Sequence, residues 1–84
     1  MRVALERPER PHWPCEEHHI FNGRGIRKWS EKYNCVIYIP SAYHDRITND
    51  AKLRKNLKAE YQEKLEAAGW TRKEFIETFG RNYL

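Results

Sequence analysis

Leu53, Leu57, Tyr61 and Leu65 recur at every fourth position of this 84-residue chain. That period commits the region from about Asn49 to Ala68 to one long helix with a single apolar stripe. Lys52, Arg54, Lys55, Lys58 and Lys64 fall elsewhere on the wheel, so the stripe faces a core and the rest is a solvated basic face. A chain this short builds one small core at most, and the helix must supply much of it. Asn49 has the side chain of an N-cap, and Gly69 suits the far end. Thr71-Arg-Lys-Glu74 reads as a capping box that opens a last short helix through Phe75, Ile76 and Phe79 to Gly80. The final Arg-Asn-Tyr-Leu is expected to tuck Tyr83 and Leu84 back onto the core.

Upstream, Pro8, Pro11 and Pro14 argue against helix and against a central strand, so residues 1–14 form an extended arm lying on the domain or on another chain. Residues 15–84 hold the domain itself. Cys-Glu-Glu-His-His-Ile-Phe reads as a short strand, and Asn22-Gly-Arg-Gly25 as the turn that ends it. Ile26, Trp29 and Tyr33 sit at spacings of three and four, which suits a short amphipathic helix. Cys-Val-Ile-Tyr-Ile-Pro, β-branched and aromatic, reads as a second strand ended by Pro40. The fold class is therefore α+β, with a short two-stranded hairpin, a long central helix and a short C-terminal helix.

Sixteen Lys and Arg against twelve Asp and Glu give a formal charge of +4, which favours polyanionic partners, nucleic acid first. The longest apolar run is too short to cross a bilayer, and Met1–Pro14 has no apolar signal-peptide core. The expected compartment is a reducing cytoplasm, with Cys15 and Cys35 as free thiols. Neither cysteine belongs to a Cys-x-x-Cys pair, so no structural zinc is expected. Of Trp13, Trp29 and Trp70, at least two are expected to serve packing.

The histidines carry the chemistry. Metal-assisted hydrolysis of a phosphodiester needs preformed ligands and a base beside the bound phosphate. Adjacent side chains on an ideal strand point to opposite faces. At a frayed strand end, however, one imidazole of His18-His19 could face an ion while the next reaches a water. His44 lies beyond a strand that returns the chain to the same place, and Thr48 and Asn49 follow one helical turn later.

The stretch His18-His-Ile-Phe-Asn-Gly-Arg-Gly-Ile-Arg-Lys-Trp-Ser-Glu-Lys-Tyr33, continued to His44, resembles the His-Asn-His (HNH) endonucleases of phages. It is similar in particular to a phage and prophage group related to recombination-enhancement, RecA-dependent nucleases. The C-terminal Arg-Lys-Glu-Phe-Ile-Glu-Thr-Phe-Gly-Arg-Asn-Tyr-Leu extends the likeness, which spans residues 15–84. The resemblance implies a ββα-metal fold and metal-dependent nicking or cutting of DNA in a host bacterial cytoplasm. It implies His19 as general base and His18 and His44 as metal ligands, with Asn49 the candidate third ligand and Thr48 the other option. One divalent ion is implied, Mg²⁺ or Mn²⁺, with Zn²⁺ a further option given so much imidazole. Arg24, Arg27, Lys28, Lys52 and Lys55 would meet the DNA backbone. Where relatives carry paired histidines before the helix, this chain has Tyr43 and a single His44.

A recombinase filament on DNA is one partner the resemblance implies, and a second copy of the chain is another option at this size. The rival readings are a catalytically inactive HNH descendant that binds and inhibits a host defence nuclease, and a non-catalytic DNA-binding module.

Overall fold

The computed structural model describes all of residues 1–84. The chain runs β1 (Cys15–His19), α1 (Arg27–Lys32), β2 (Val36–Pro40), a 3₁₀ turn (Ser41–Tyr43), α2 (His44–Asn49), α3 (Ala51–Ala67) and α4 (Arg72–Phe79). This is the α+β arrangement expected from the sequence. β1 and β2 pair antiparallel, with His18 opposite Ile37 and His19 opposite Val36. The ladder runs one residue further, since Ile20 N–H donates to Cys35 O at 2.9 Å. Cys15 faces Pro40 at the other end, about 15 Å or more from Cys35 at strand rise, so geometry forbids a disulfide between them. Cys35 is instead a fully buried thiol whose pKa is pushed up to about 12 by burial.

Two buried polar side chains fasten irregular segments to the rest of the fold. Ser30 of α1 is buried, and its hydroxyl accepts from Phe21 N–H at 3.0 Å while donating to Phe21 O. That clamp seats Phe21 among Phe75, Phe79 and Tyr83, at centroid distances of 5.3, 4.3 and 5.8 Å. Gln62 of α3 is also fully buried. Its amide donates to Asn82 Oδ1 at 2.7 Å and its carbonyl accepts from Tyr83 N–H at 2.7 Å, which pins the C-terminal tail against α3. Tyr83 therefore folds back as expected, whereas Leu84 stays exposed because the pinned backbone points it past the core.

The arm of residues 1–14 has no helix or strand, yet it lies on its own domain. Leu5 N–H donates to Tyr33 O at 3.0 Å, Asn34 Nδ2 donates to Leu5 O at 2.8 Å, and Trp70 Nε1 donates to Val3 O at 2.8 Å. Trp70 is buried and Trp29 packs on the core, leaving only Trp13 prominently exposed.

The central helix departs from the sequence expectation at its start. Asn49 ends α2, and the N-cap of α3 is Asp50, whose backbone is extended (φ −98°, ψ 94°) and whose carboxylate accepts Leu53 N–H at 2.9 Å. Both residue types cap well, and the later one leaves room for the separate turn of α2. Leu53 is consequently outside the core, which begins at Leu57 and is completed by Tyr61, Leu65 and Gln62. No helix is long and apolar enough to cross a membrane.

Replacing Gln62 by Leu strands the Tyr83 amide, and we expect a loss of about 1–3 kcal/mol in denaturant unfolding, with residues 81–84 exchanging amide hydrogen fast. A second expectation concerns acid. The capping box is formed in full, and the Thr71 N–H bond to Glu74 holds that carboxyl down at about 2. Its folded pKa lies below the ordinary 4.5, so the associated stability is present above 4.5 and lost as pH falls towards 2. Glu74→Gln should flatten the pH dependence of the melting temperature across that window.

Candidate functional site

The β1 alternation sorts the site residues. Glu16 and His18 stand on one face of the ribbon, Glu17 and His19 on the other, because side chains repeat with period two. The His-His pair is not at a frayed end, since both residues sit in the ladder opposite Ile37 and Val36. Despite that, a cleft of about 270 Å³ reaches both rings, closed by His44 and Thr48 of α2, Arg54 of α3, Arg27 of α1 and Asn22 of the turn. The turn itself requires its glycines, because Gly23 (φ 124°) and Gly25 (φ 79°) occupy backbone conformations that side chains disfavour.

On the first face His18 is buried at 8% exposure. Burial, reinforced by His44, His19, Arg54 and Lys58, pushes its pKa below the ordinary histidine value, so the ring is neutral at pH 7. His44 sits 3.0 Å through Nδ1 from Glu16 Oε2. A carboxylate only accepts, so Nδ1 carries a proton and Nε2 is the ring nitrogen left for another partner. An imidazole fixed this way by a carboxylate is the usual arrangement of a metal-ligating histidine.

On the second face His19 Nε2–H donates to Glu31 Oε2 at 2.9 Å, with Glu17 Oε1 at 3.5 Å. The His19 bond, then neighbouring polar groups including Arg7, hold the Glu31 carboxyl below its ordinary value. Glu17, His19 and Glu31 bring their donor atoms within 4.8 Å of one another and form a group that could hold a metal ion. Arg7 of the arm competes there, with its guanidinium 2.9 Å from Glu17 Oε1 and 3.1 Å from Glu31 Oε1. A hard divalent ion fits this oxygen-rich set only if Arg7 withdraws and His19 gives up its Nε2 proton.

His18, His19, His44 and Arg27 are thus brought together as the sequence suggested. Thr48 lines the cleft, whereas Asn49 is exposed at the end of α2 and does not. Arg27 and Lys28 border a second, shallower depression beside Glu17, His19 and Glu31. Lys55 lines a groove further along α3, and Arg24 and Lys52 line none of these hollows. Sequence reasoning passed over Glu16, Glu17, Glu31 and Arg7, and took Arg54 only as part of the basic face of the long helix. Period-two alternation in Glu-Glu-His-His could have paired Glu16 with His18 and Glu17 with His19. Arg7 reaches the site only through the path of the arm and leaves no local signal. Comparison with known protein families, characterised proteins and solved structures finds no match to this chain.

Removing the competing cation should open the carboxylate group. We expect Arg7→Ala to tighten Mn²⁺ binding several-fold in calorimetric titration, and Arg7→Ala with Glu31→Gln to abolish that gain.

Proposed function

We propose that the protein is a metal-dependent DNA endonuclease of HNH type, phage-encoded and working in a host bacterial cytoplasm. The reading rests on the sequence resemblance, and one observation supports it most. His18 and His44, 26 positions apart in the chain, share one cleft with His19, Arg27 and Arg54, a combination of imidazoles and cations suited to phosphodiester hydrolysis. His18 and His44 Nε2 would hold the ion, with Thr48 better placed than Asn49 to add a polar neighbour. A bound divalent ion there supplies Lewis-acid stabilisation of charge on the phosphate oxygens.

The remaining roles belong to the chain. Glu31 and Glu17 fix the His19 ring and keep the proton on Nε2, which leaves Nδ1 basic and free to take a proton from a water. Arg27 and Arg54, both on the cleft, offer guanidinium groups to the phosphate. Asn22 at the turn holds the ribbon end by donating to His19 O at 3.4 Å. The domain offers little surface for base readout, so we propose cleavage without strong sequence preference.

A second reading has its own supporting observation. Arg7 lies on Glu17 and Glu31 where a cation would bind, an arrangement suited to a catalytically silent descendant that acts by binding. Cleavage of supercoiled plasmid with Mg²⁺, Mn²⁺, Zn²⁺ or EDTA separates the two. For the nuclease, metal-dependent nicking is expected, with His19→Ala slowing it by about 10²-fold or more while melting like the parent. His18→Ala and His44→Ala should each lose the response to metal. Folded protein that fails to nick with Mg²⁺, Mn²⁺ or Zn²⁺ would transfer the case to the binding reading.

A further inference from the structure

Beyond the histidine cleft, α3 and the C-terminal tail enclose a groove of about 230 Å³ that carries four cations and no carboxylate, lined by Arg54, Lys55, Lys58 and Arg81 with Ala51 and Tyr83. We infer that this groove is a track for the phosphate backbone of a nucleic-acid strand, continuous with the histidine cleft through Arg54, in which Arg54, Lys58 and Arg81 take successive phosphates.

The groove gathers four cations with no carboxylate among them. Arg2, Arg7, Lys64 and Arg72 are each paired with a glutamate within 4.0 Å. Arg54, Lys55, Lys58 and Arg81 pair with none, and none of their side chains makes a hydrogen bond. Arg54 Nε is moreover buried without any partner, a polar atom left unsatisfied in the free protein. Arg54 and Lys58 lie one helical turn apart, where like charges repel. Burial, with Arg54 and Arg81 nearby, also holds the Lys58 ammonium below the ordinary lysine range. Each of these costs is recovered when an anion enters.

The cations are also held in place. Lys58 and Arg81 lie over the Tyr83 ring at 5.4 and 5.1 Å, and Gln62 pins Tyr83 and Asn82 to α3. Arg54 and Lys58 are separated by about 6 Å along the helix axis, on the scale of neighbouring phosphates of one strand. The only apolar lining comes from Ala51 and Tyr83, whereas a protein partner would want an apolar centre to dock on. Arg54 borders both hollows, so one threaded polyanion can occupy them together.

This track deepens the nuclease reading and rests on it for the position of the scissile phosphate, but its test reads binding alone. The probe is a fluorescent duplex of about 20 base pairs, followed by anisotropy in EDTA over about 50 to 200 mM salt. Lys58→Gln with Arg81→Gln should weaken binding about tenfold and lower the slope of log affinity against log salt by about 1–2. Lys64→Gln with Lys73→Gln removes the same charge outside the groove and should leave the slope nearly unchanged. Lys58→Arg with Arg81→Lys should restore binding, and matched melting curves show that the fold is intact. Equal losses in the two glutamine pairs, or no loss in either, would overturn the track. Poly-glutamate bound as tightly as the duplex, with the same dependence on Lys58 and Arg81, would overturn the nucleic-acid occupant. Because no metal is present, failure of plasmid cleavage leaves this result standing, and a cleaving protein with an unchanged slope rejects the track alone.

Discussion

The antiparallel ladder of β1 and β2 decides which way Glu16, Glu17, His18 and His19 point, and the helical side chains of the site meet them there. Its register sets His18 opposite Ile37 and His19 opposite Val36, and a slip of one residue would exchange the two faces of the ribbon. Adjacent histidines therefore enter different environments. One is buried against α2 and α3, where cations surround it, and the other is held by carboxylates beside α1 and the arm. A strand of five residues thereby gives two imidazoles of identical intrinsic chemistry two distinct electrostatic settings, which is how a small domain can divide ligand and base roles.

With so few buried apolar residues, polar clamps carry an unusual share of the fold's definition. Ser30, Gln62 and Asn34 each tie a loop or terminus to the ribbon or to α3 through backbone groups that would otherwise be unpaired. The clamps also set up the chemistry. Ser30 fixes the end of β1 next to the cleft, and Gln62 carries Arg81 and Tyr83 to the basic groove. Charge is distributed unevenly: the arm's Arg7 neutralises the carboxylate group, while Arg54, Lys55 and Lys58 of α3 and Arg81 of the tail remain unpaired. The protein is thus compensated where Glu17 and Glu31 meet and uncompensated in the groove beside Arg54.

Much of this was legible in the chain. The four-residue period gave α3, Thr71 and Glu74 gave the capping box, and the β-branched run gave β2, because those signals are local and outweigh tertiary context. The meeting of His18, His19 and His44 was legible from the second strand, which could return the chain to the first, and from the resemblance, since no local spacing rule brings position 44 to position 18. The choice of Asp50 over Asn49 as cap was not legible, because the two side chains cap about equally and the preceding turn of α2 decides between them.

Sequence alone determined the hairpin, the long and the C-terminal helices and the basic excess, which follow from residue type and near-neighbour spacing, while the candidate ligands and base were named through the resemblance. Tertiary structure decided that the two histidines part to opposite faces, that Arg7 rather than solvent meets Glu17 and Glu31, and that Arg54, Lys58 and Arg81 converge. Those outcomes depend on strand register, on the path of the arm and on a buried glutamine holding the tail. Each is a contact between residues distant in the chain, fixed by the packing of the whole core and carrying no local mark in the sequence.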